Sequence, residues 1–447
     1  MRKNISRRNF LGKAATVGAA GAVMPTLLNS CASDGGMQEA TIPEFLDQAP
    51  DGPELKAGVI GCGGRGTGAA LNFLSAGPNL KITALGDVFE DRLSSCRARI
   101  QKDKENEVAD ENCFVGFDAY QKVIDSGVDI IILATPPFFR PMQFAAAVNA
   151  RKHVFMEKPV AVDPEGARSI MATAKKADSM GINVVTGTQR RHQRDYAATY
   201  AQVAAGAIGD IVGANVYWNG GKLWHRDLNP AWTEMEYMIR NWVNWTWLSG
   251  DHIVEQHVHN LDVMHWFSGM HPVKAVGFGS RQRRVTGDQF DNFSVDFVME
   301  NGIHMHSMCR QINGCKNNVS ERIQGSLGST NPKNTIYNPK GEVIWEYEPQ
   351  GVNAEGKPQL KVGPYDQEHI DLVSAIRTGE HFNEAENTAI STMVAIMGRI
   401  SAYTGKEVTW EEMMNSDLKL GPKVFEFGPV DIPKDVPVAG DAFVPKA

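Results

Sequence analysis

Long apolar runs are scarce in this chain of 447 residues. Past residue 31 no stretch approaches the roughly 20 apolar residues that cross a bilayer as a helix, so no membrane span is expected in the body of the chain. Cysteine is scarce too, with six in all. The five after Cys31 are odd in number and scattered, without the paired spacing of a metal site. Cys309 and Cys315 can pair in an oxidising compartment, and their spacing leaves that open. Basic charge also runs short: with the first 31 residues set aside, 40 Lys and Arg face 52 Asp and Glu. That acidic surplus argues against nucleic acid and anionic membrane surfaces as partners. No internal repeat is present.

What is present begins at the N-terminus. Ser6-Arg7-Arg8-Asn9-Phe10-Leu11 is a twin-arginine pattern inside the basic stretch Arg2 to Lys13, and a small, apolar run follows from Ala14 to Leu28. Leu28-Asn29-Ser30-Cys31 resembles a lipobox. Residues 1–31 are therefore expected to be a signal peptide that sends the protein out of the cytoplasm by the twin-arginine route. Cys31 then becomes a lipid anchor on the periplasmic side; the alternative is ordinary cleavage and release. Residues 32–53 read as a polar linker, and the roughly 415 residues after the leader suffice for two domains.

From residue 54 to 187 strands and helices alternate. Lys56-Ala57-Gly58-Val59-Ile60 is a strand, Gly61-Cys62-Gly63-Gly64-Arg65-Gly66 a glycine turn, and Ala69 to Ala76 has helical composition. Leu80 to Gly86 is a second strand ending in Asp87. Val128 to Ala134 is a buried parallel-type strand stopped by Pro136-Pro137, and His153–Met156 and Asn183–Thr186 continue the series. The fold class this predicts is an α/β doubly wound Rossmann domain that binds a dinucleotide. In that setting the glycines admit the pyrophosphate to a helix N-terminus, and Asp87 accepts hydrogen bonds from the adenosine ribose. The same carboxylate repels a 2′-phosphate, so the expected cofactor is NAD rather than NADP. A cofactor of the cytoplasm in an exported chain implies export of the folded protein with NAD already bound.

From 188 to 365 the pattern changes to longer strands. Asp291 to Glu300 and Gly302 to Ile312 flank Asn301-Gly302, a hairpin signal. Ile211 to Trp218, Val273 to Arg284 and Glu342 to Tyr347 can join them in an α+β domain with an open, largely antiparallel sheet. Residues 366–447 hold late helices, Gln367 to Arg377 and Asn387 to Tyr403, expected to pack back onto the first domain, and a tail.

Glu157-Lys158-Pro159 follows a strand at the carboxyl edge of the first sheet. With that tripeptide the chain resembles the glucose–fructose oxidoreductase, inositol dehydrogenase and MocA family over nearly all of residues 54 to 415. Ala134-Thr135-Pro136-Pro137 is similar to the family's strand-end segment beside the nicotinamide, and Phe117-Asp118-Ala119-Tyr120 to the turn before that strand. The family's third signature appears as Gly250-Asp251 through Glu255, His257, His259 and Asp262. The resemblance implies NAD contacts by Gly61, Gly63, Gly64, Arg65, Gly66, Asp87, Thr135, Pro136, Glu157 and Lys158. It implies catalysis by Lys158 and His259, with Glu255 where many members have aspartate. Arg191, in Thr188-Gln189-Arg190-Arg191-His192, lies where members bring an arginine to cofactor or substrate; an interdomain salt bridge is the other reading. Association through the open sheet face, giving a homo-oligomer, is also implied.

The chemistry is coherent on the residues alone. If 250–262 form one helix, Glu255, His259 and Asp262 share a face. Histidine can take a hydroxyl proton near neutral pH, a lysine ammonium favours the alkoxide, and Glu255 can orient the imidazole. Five of the twelve histidines lie between His252 and His271, but on a helix His257 points away from its neighbours, so no metal is expected and His257 reads as a substrate contact or packing. Seven of nine tryptophans lie between Trp218 and Trp266. Indole faces with neighbouring amides suit a sugar, which brings Trp224 and His225 into the candidate substrate site beside Arg191, His257 and Asp262.

The leading expectation is an NAD-dependent oxidoreductase acting outside the cytoplasm on a sugar or glycoside. It would oxidise a ring hydroxyl such as that at C3 to a ketone and recycle a tightly held NAD internally. Two alternatives remain open at this point: an NAD-dependent glycosidase working by oxidation, elimination and hydration, and a sugar-binding lipoprotein without chemistry.

Overall fold

Six short strands build the first sheet of the computed structural model, which describes residues 40–440. The twin-arginine pattern, the apolar run and Cys31 lie outside the described residues. The strands β1 (Leu55–Ile60), β2 (Leu80–Asp87), β3 (Cys113–Val115), β4 (Ile130–Leu133), β5 (His153–Met156) and β6 (Val184–Thr186) are all parallel, in the order β3-β2-β1-β4-β5-β6. A parallel sheet must be covered on both faces, and β4 shows how. All four of its residues are buried: Ile131 and Leu133 join one core with Phe144 and Ile170, while Ile130 and Ile132 join the other with Phe73 and Ile100. Winding reverses between β1 and β4, and the crevice beyond the carboxyl ends of such strands is where doubly wound folds bind ligands.

The helix expected from Ala69 in fact opens at Gly64 and runs to Ser75. Residues 64–68 lack a helical composition, yet the tight turn delivers the chain straight into the first helical hydrogen bonds.

The second sheet has nine strands. Its centre is β7 (Ile211–Gly220), β8 (Pro272–Ser280), β9 (Asn292–Met299), β10 (His304–Gln311) and β11 (Asn318–Gly325). The Asn301-Gly302 hairpin forms between β9 and β10, with Gly302 at φ 83°. Strict alternation sends Phe293, Val295, Phe297 and Met299 inward, each such burial stabilising by about 1.5–3 kcal/mol. The sheet is mixed, because β7 and β10 run parallel. Strand β11 escapes a reading of pattern, since one of its two inward positions is Glu321 and the other, Ile323, sits between Arg322 and Gln324.

The late helix Pro364–Thr378 packs on Gly64–Ser75, and Ala385–Thr404 lies between the Rossmann helix Pro164–Ser179 and β8, joining both domains. After Trp410–Asn415 the chain is irregular and returns over the first domain: Leu420 N–H donates to Asp163 Oδ2 at 2.8 Å, and Phe425 and Phe427 pack with Phe89, Phe117, Phe138 and Phe139. Among the described residues no helix is long and apolar enough to cross a membrane. Cys309 is buried in β10 and Cys315 exposed beyond it, and both are free thiols.

Candidate active site

The glycine turn is shaped by two positions with no room for a side chain. Gly61 has φ 95° and a Cβ there would lie 2.6 Å from the Thr135 nitrogen; at Gly66 it would lie 1.8 Å from the Gly61 oxygen. Gly63 and Gly64 differ, since a Cβ at either meets nothing within 4 Å. They face open space at the start of a helix that has no side-chain cap and no acid in its first turn. Free N–H groups at an uncapped positive helix end form an anion cradle. Asp87 braces the turn: Cys62 N–H donates to its Oδ2 at 2.7 Å and Phe89 N–H to its Oδ1 at 2.9 Å. Burial raises its pKa, opposed by those two donors.

The second wall is the end of β4 and β5. Arg140, buried at the start of the helix Arg140–Asn149, is a residue that the motifs do not mark. Its guanidinium donates to the carbonyls of Glu157 (2.9 Å), Pro159 (2.5 Å) and Thr135 (2.6 Å), which ties the Thr135-Pro136 segment to Glu157-Lys158-Pro159. Burial lowers its pKa to about 10. An arginine three residues after Pro136-Pro137, at the head of an apolar helix, was the available signal. Glu157 and Arg65 form an ion pair, and Arg65 also reaches Glu368 at 3.4 Å and lies over the Tyr365 ring at 4.7 Å. The two side chains thus brace the glycine turn against β5, while Arg65 still lines the cavity described below.

Lys158 meets the second domain. Its Nζ donates to Glu255 Oε1 at 3.1 Å and to the Glu255 carbonyl at 2.6 Å, with Lys158 11% and Glu255 9% exposed. The expectation that Glu255 orients the imidazole is corrected: its carboxylate holds Lys158. His259 lies nearby, stacked on Trp218 with ring centroids 5.6 Å apart. Its Nδ1 is buried without a hydrogen-bond partner among the described residues. Burial, then the charges of Lys158 and Arg190, hold its pKa well below the imidazole range, so the ring is neutral. Arg190, which also lies over Trp218 at 5.7 Å and pairs with Glu321, is therefore the arginine of its segment nearest the chemistry.

The single helix expected over 250–262 is broken. His252–Glu255 and Val258–Ser268 are separate helices, so Glu255 is not on the helix that carries His259 and Asp262, and Asp262, three residues past His259, is taken up by other partners. Arg191 instead grips Asp262 with two bonds of 2.9 Å, and Ser391 adds a third at 2.8 Å. Arg191 is 12% and Asp262 2% exposed, and they form a salt bridge within residues 188–365, a correction to their reading as substrate contacts. His257 is fully buried, bonded through Nε2 to Ser307 Oγ at 2.8 Å, with a pKa lowered by burial to about 3; it packs the break between the two helices against β10. Trp224, 47% exposed, lines the cavity beside the glycine turn rather than the Lys158 site, and His225 faces Asp227 at 3.6 Å. Asp262→Asn should destabilise the protein by about 3–5 kcal/mol, because it strands a buried guanidinium. Urea unfolding measures this; an unchanged midpoint with weakened substrate binding would restore Asp262 to the substrate site.

A cavity of about 460 Å³ joins the glycine turn to the end of β4. Gly61, Gly63, Gly64, Asp87, Thr135 and Pro136 line it, closed by Phe139, Trp242 and Arg240. The residues fit a dinucleotide: the cradle lies at Gly63 and Gly64, a carboxylate at the end of β2, and an apolar wall at the end of β4.

Residues 55–184 match the family described as oxidoreductase family, NAD-binding Rossmann fold, and residues 196–331 the GFO/IDH/MocA C-terminal domain. The chain is 24% identical over 226 residues to scyllo-inositol 2-dehydrogenase (NAD(+)) of Bacillus subtilis, covering 51% of this chain and 57% of that protein. It is 28% identical over 155 residues to myo-inositol 2-dehydrogenase of Thermotoga maritima, covering 35% and 42%. The matches thus span about half the length of these curated relatives. Similar folds include scyllo-inositol dehydrogenase from Lactobacillus casei with bound NAD(H) and scyllo-inositol (TM-score 0.58, 19% identity, 80% of this chain and 99% of that one). Aldose-aldose oxidoreductase from Caulobacter crescentus is another (TM-score 0.59, 16% identity, 80% and 99%). Two family domains in tandem, on a doubly wound sheet with an anion cradle, establish that the chain belongs to the glucose–fructose oxidoreductase, inositol dehydrogenase and MocA family of oxidoreductases, with an NAD-binding Rossmann domain.

Proposed function

We propose that this protein is an NAD-dependent oxidoreductase that converts a ring CH–OH of a sugar, glycoside or related cyclic polyol to a ketone. One observation carries the reading: a neutral, buried His259 from the second domain stands beside the Lys158 ammonium from the end of β5. Lys158 stabilises the developing alkoxide, and His259 accepts the hydroxyl proton. Glu255 and the Glu255 carbonyl fix the lysine, and Trp218 fixes the imidazole plane. A dinucleotide held by Gly63, Gly64, Asp87, Thr135 and Pro136 would supply the two-electron hydride acceptor that alcohol oxidation requires, while His259 keeps the hydroxyl proton until water removes it.

The finer reading is an exported enzyme, lipid-anchored through Cys31, that oxidises C3 of a glycoside and recycles a retained NAD by reducing a second sugar. The twin-arginine pattern supports it, because that route carries folded cargo. A homo-oligomer is supported by apolar side chains left bare on the second sheet, Val212, Val276 and Phe278, the last 71% exposed.

The test is to denature the purified mature protein and quantify released dinucleotide by mass, then to add inositols and glycosides to native protein and follow nicotinamide absorbance. Stoichiometric NAD(H) with a substrate-dependent rise is expected. An empty protein that stays silent with NAD supplied overturns the proposal, and net cleavage of a glycoside would replace simple oxidation by the elimination route.

A further inference from the structure

The second domain sends a strap back over the first. Residues 221–233, between β7 and the helix Glu234–Arg240, are irregular, and they bring Trp224 and Arg226 to the wall of the dinucleotide cavity. A second hollow, of about 670 Å³, shares Gly63, Gly64, Arg92, Arg226 and Arg240 with the first. Positive charge is in excess around these shared residues. Arg240 is neutralised by Asp91, at 2.8 and 3.1 Å, and by Glu236 at 2.9 Å. Arg226 and Arg92 form no ion pair among the described residues. Arg226 donates to the Arg240 carbonyl at 3.1 Å and lies over Trp224 at 5.8 Å. Partial burial, then the neighbouring charges of Arg92 and Arg240, lower its pKa. Arg92 acts on the carboxylates of Asp87 and Asp91, but Arg226 is held only by a backbone carbonyl and an indole face, and a guanidinium so placed beside an uncapped helix N-terminus is an arrangement that an anion completes.

The strap is itself held down. Met235 N–H donates to the Gly428 carbonyl at 3.0 Å, Val430 N–H to Glu234 at 2.7 Å, and Lys434 pairs with Glu234 at 2.6 Å. Phe427 stacks on Phe89 with centroids 5.9 Å apart and lies 5.3 Å from Phe117, both of which line the cavity. The irregular C-terminal segment therefore fastens one end of the strap and seals the same side of the cavity.

We propose that Arg226 is a counter-charge to the pyrophosphate of the dinucleotide, and that the C-terminal segment around Phe427 is a latch that sets how fast the cofactor leaves. This rests on the NAD reading above. It explains how an exported enzyme keeps a cofactor that its surroundings do not replace: the lid is made by a different domain from the cradle, so both must separate before NAD escapes.

The experiment loads the mature full-length protein with NAD, removes free NAD by gel filtration, adds an excess of isotopically labelled NAD and follows exchange by mass. Arg226→Gln and Phe427→Ala change exposed side chains, so folding is preserved. Each should exchange roughly tenfold to a hundredfold faster than the parent, and Arg226→Lys should recover much of the retention. Raising ionic strength should speed exchange in the parent more than in Arg226→Gln. Unchanged exchange in Arg226→Gln overturns the pyrophosphate assignment, and unchanged exchange in Phe427→Ala overturns the latch. A parent that takes up no NAD by calorimetry overturns the cofactor reading itself, a failure visible before any variant is compared.

Discussion

Replacing His259 by Ala should lower kcat/KM for alcohol oxidation by about 10²–10⁴-fold, the range of a lost general base, while NAD content stays that of the parent. The pH profile carries a sharper signature. Oxidation needs the neutral imidazole, and burial followed by the charges of Lys158 and Arg190 keeps His259 neutral well below its ordinary range. The acid limb of the profile should therefore fall below the unperturbed histidine value of about 6.5. Lys158→Met removes one of the depressing charges, so it should move that limb upward as well as lower the rate. A His259→Ala enzyme turning over within a few-fold of the parent would place the base elsewhere. A limb that stays put in Lys158→Met would separate the two residues. Stability follows the same sign. His257 and His259 bind protons more readily unfolded than folded, so their contribution is lost as pH falls below the unfolded value. His192 opposes this: burial alone would lower its pKa, but Glu384 and Asp371 raise it well above the usual value. Its contribution is present at low pH and is lost as pH rises through the raised value.

Gly66→Ala should remove measurable NAD binding and destabilise the fold by about 1–3 kcal/mol, the range for forcing atoms into a packed site. The new Cβ would fall 1.8 Å from the Gly61 carbonyl oxygen, a backbone atom that cannot swing aside, so the turn itself must move. Gly63→Ala is the control. Its backbone, at φ −69°, is open to any residue, and the Cβ meets no protein atom within 4 Å. It should unfold at the parent's temperature yet bind NAD about tenfold more weakly, as one methyl crowds the cradle. Calorimetric unfolding together with NAD titration separates these outcomes. Equal effects from both substitutions would mean that the two glycines serve the turn alone.

Legibility differed by kind of residue. The glycine turn, Asp87, Thr135 and Lys158 were readable because each lies at the end of a strand whose apolar run marks where it stops. Arg140 was not, since its work is done on three backbone carbonyls that leave no mark of their own on the sequence. Residue spacing makes 250–262 look like one helix; the break at Gln256-His257 sets Glu255 apart from His259 and Asp262, and Asp262 bonds to Arg191 and Ser391. His257 and His259 are two residues apart and similar in sequence context. One is bonded into the sheet through Ser307 and the other lies against Trp218 beside Lys158.

The sequence by itself determined the parallel first sheet, the cradle, the family resemblance and the identity of the two residues proposed for chemistry. Periodicity and backbone freedom are local properties, written within a dozen residues. Only the tertiary structure decided that Glu255 holds Lys158, that Arg191 grips Asp262, that Arg226 reaches the cavity wall, and that Phe427 packs on Phe89. Each of those contacts unites residues between 71 and more than 300 positions apart, and such pairings depend on how distant segments pack, which local patterns do not encode.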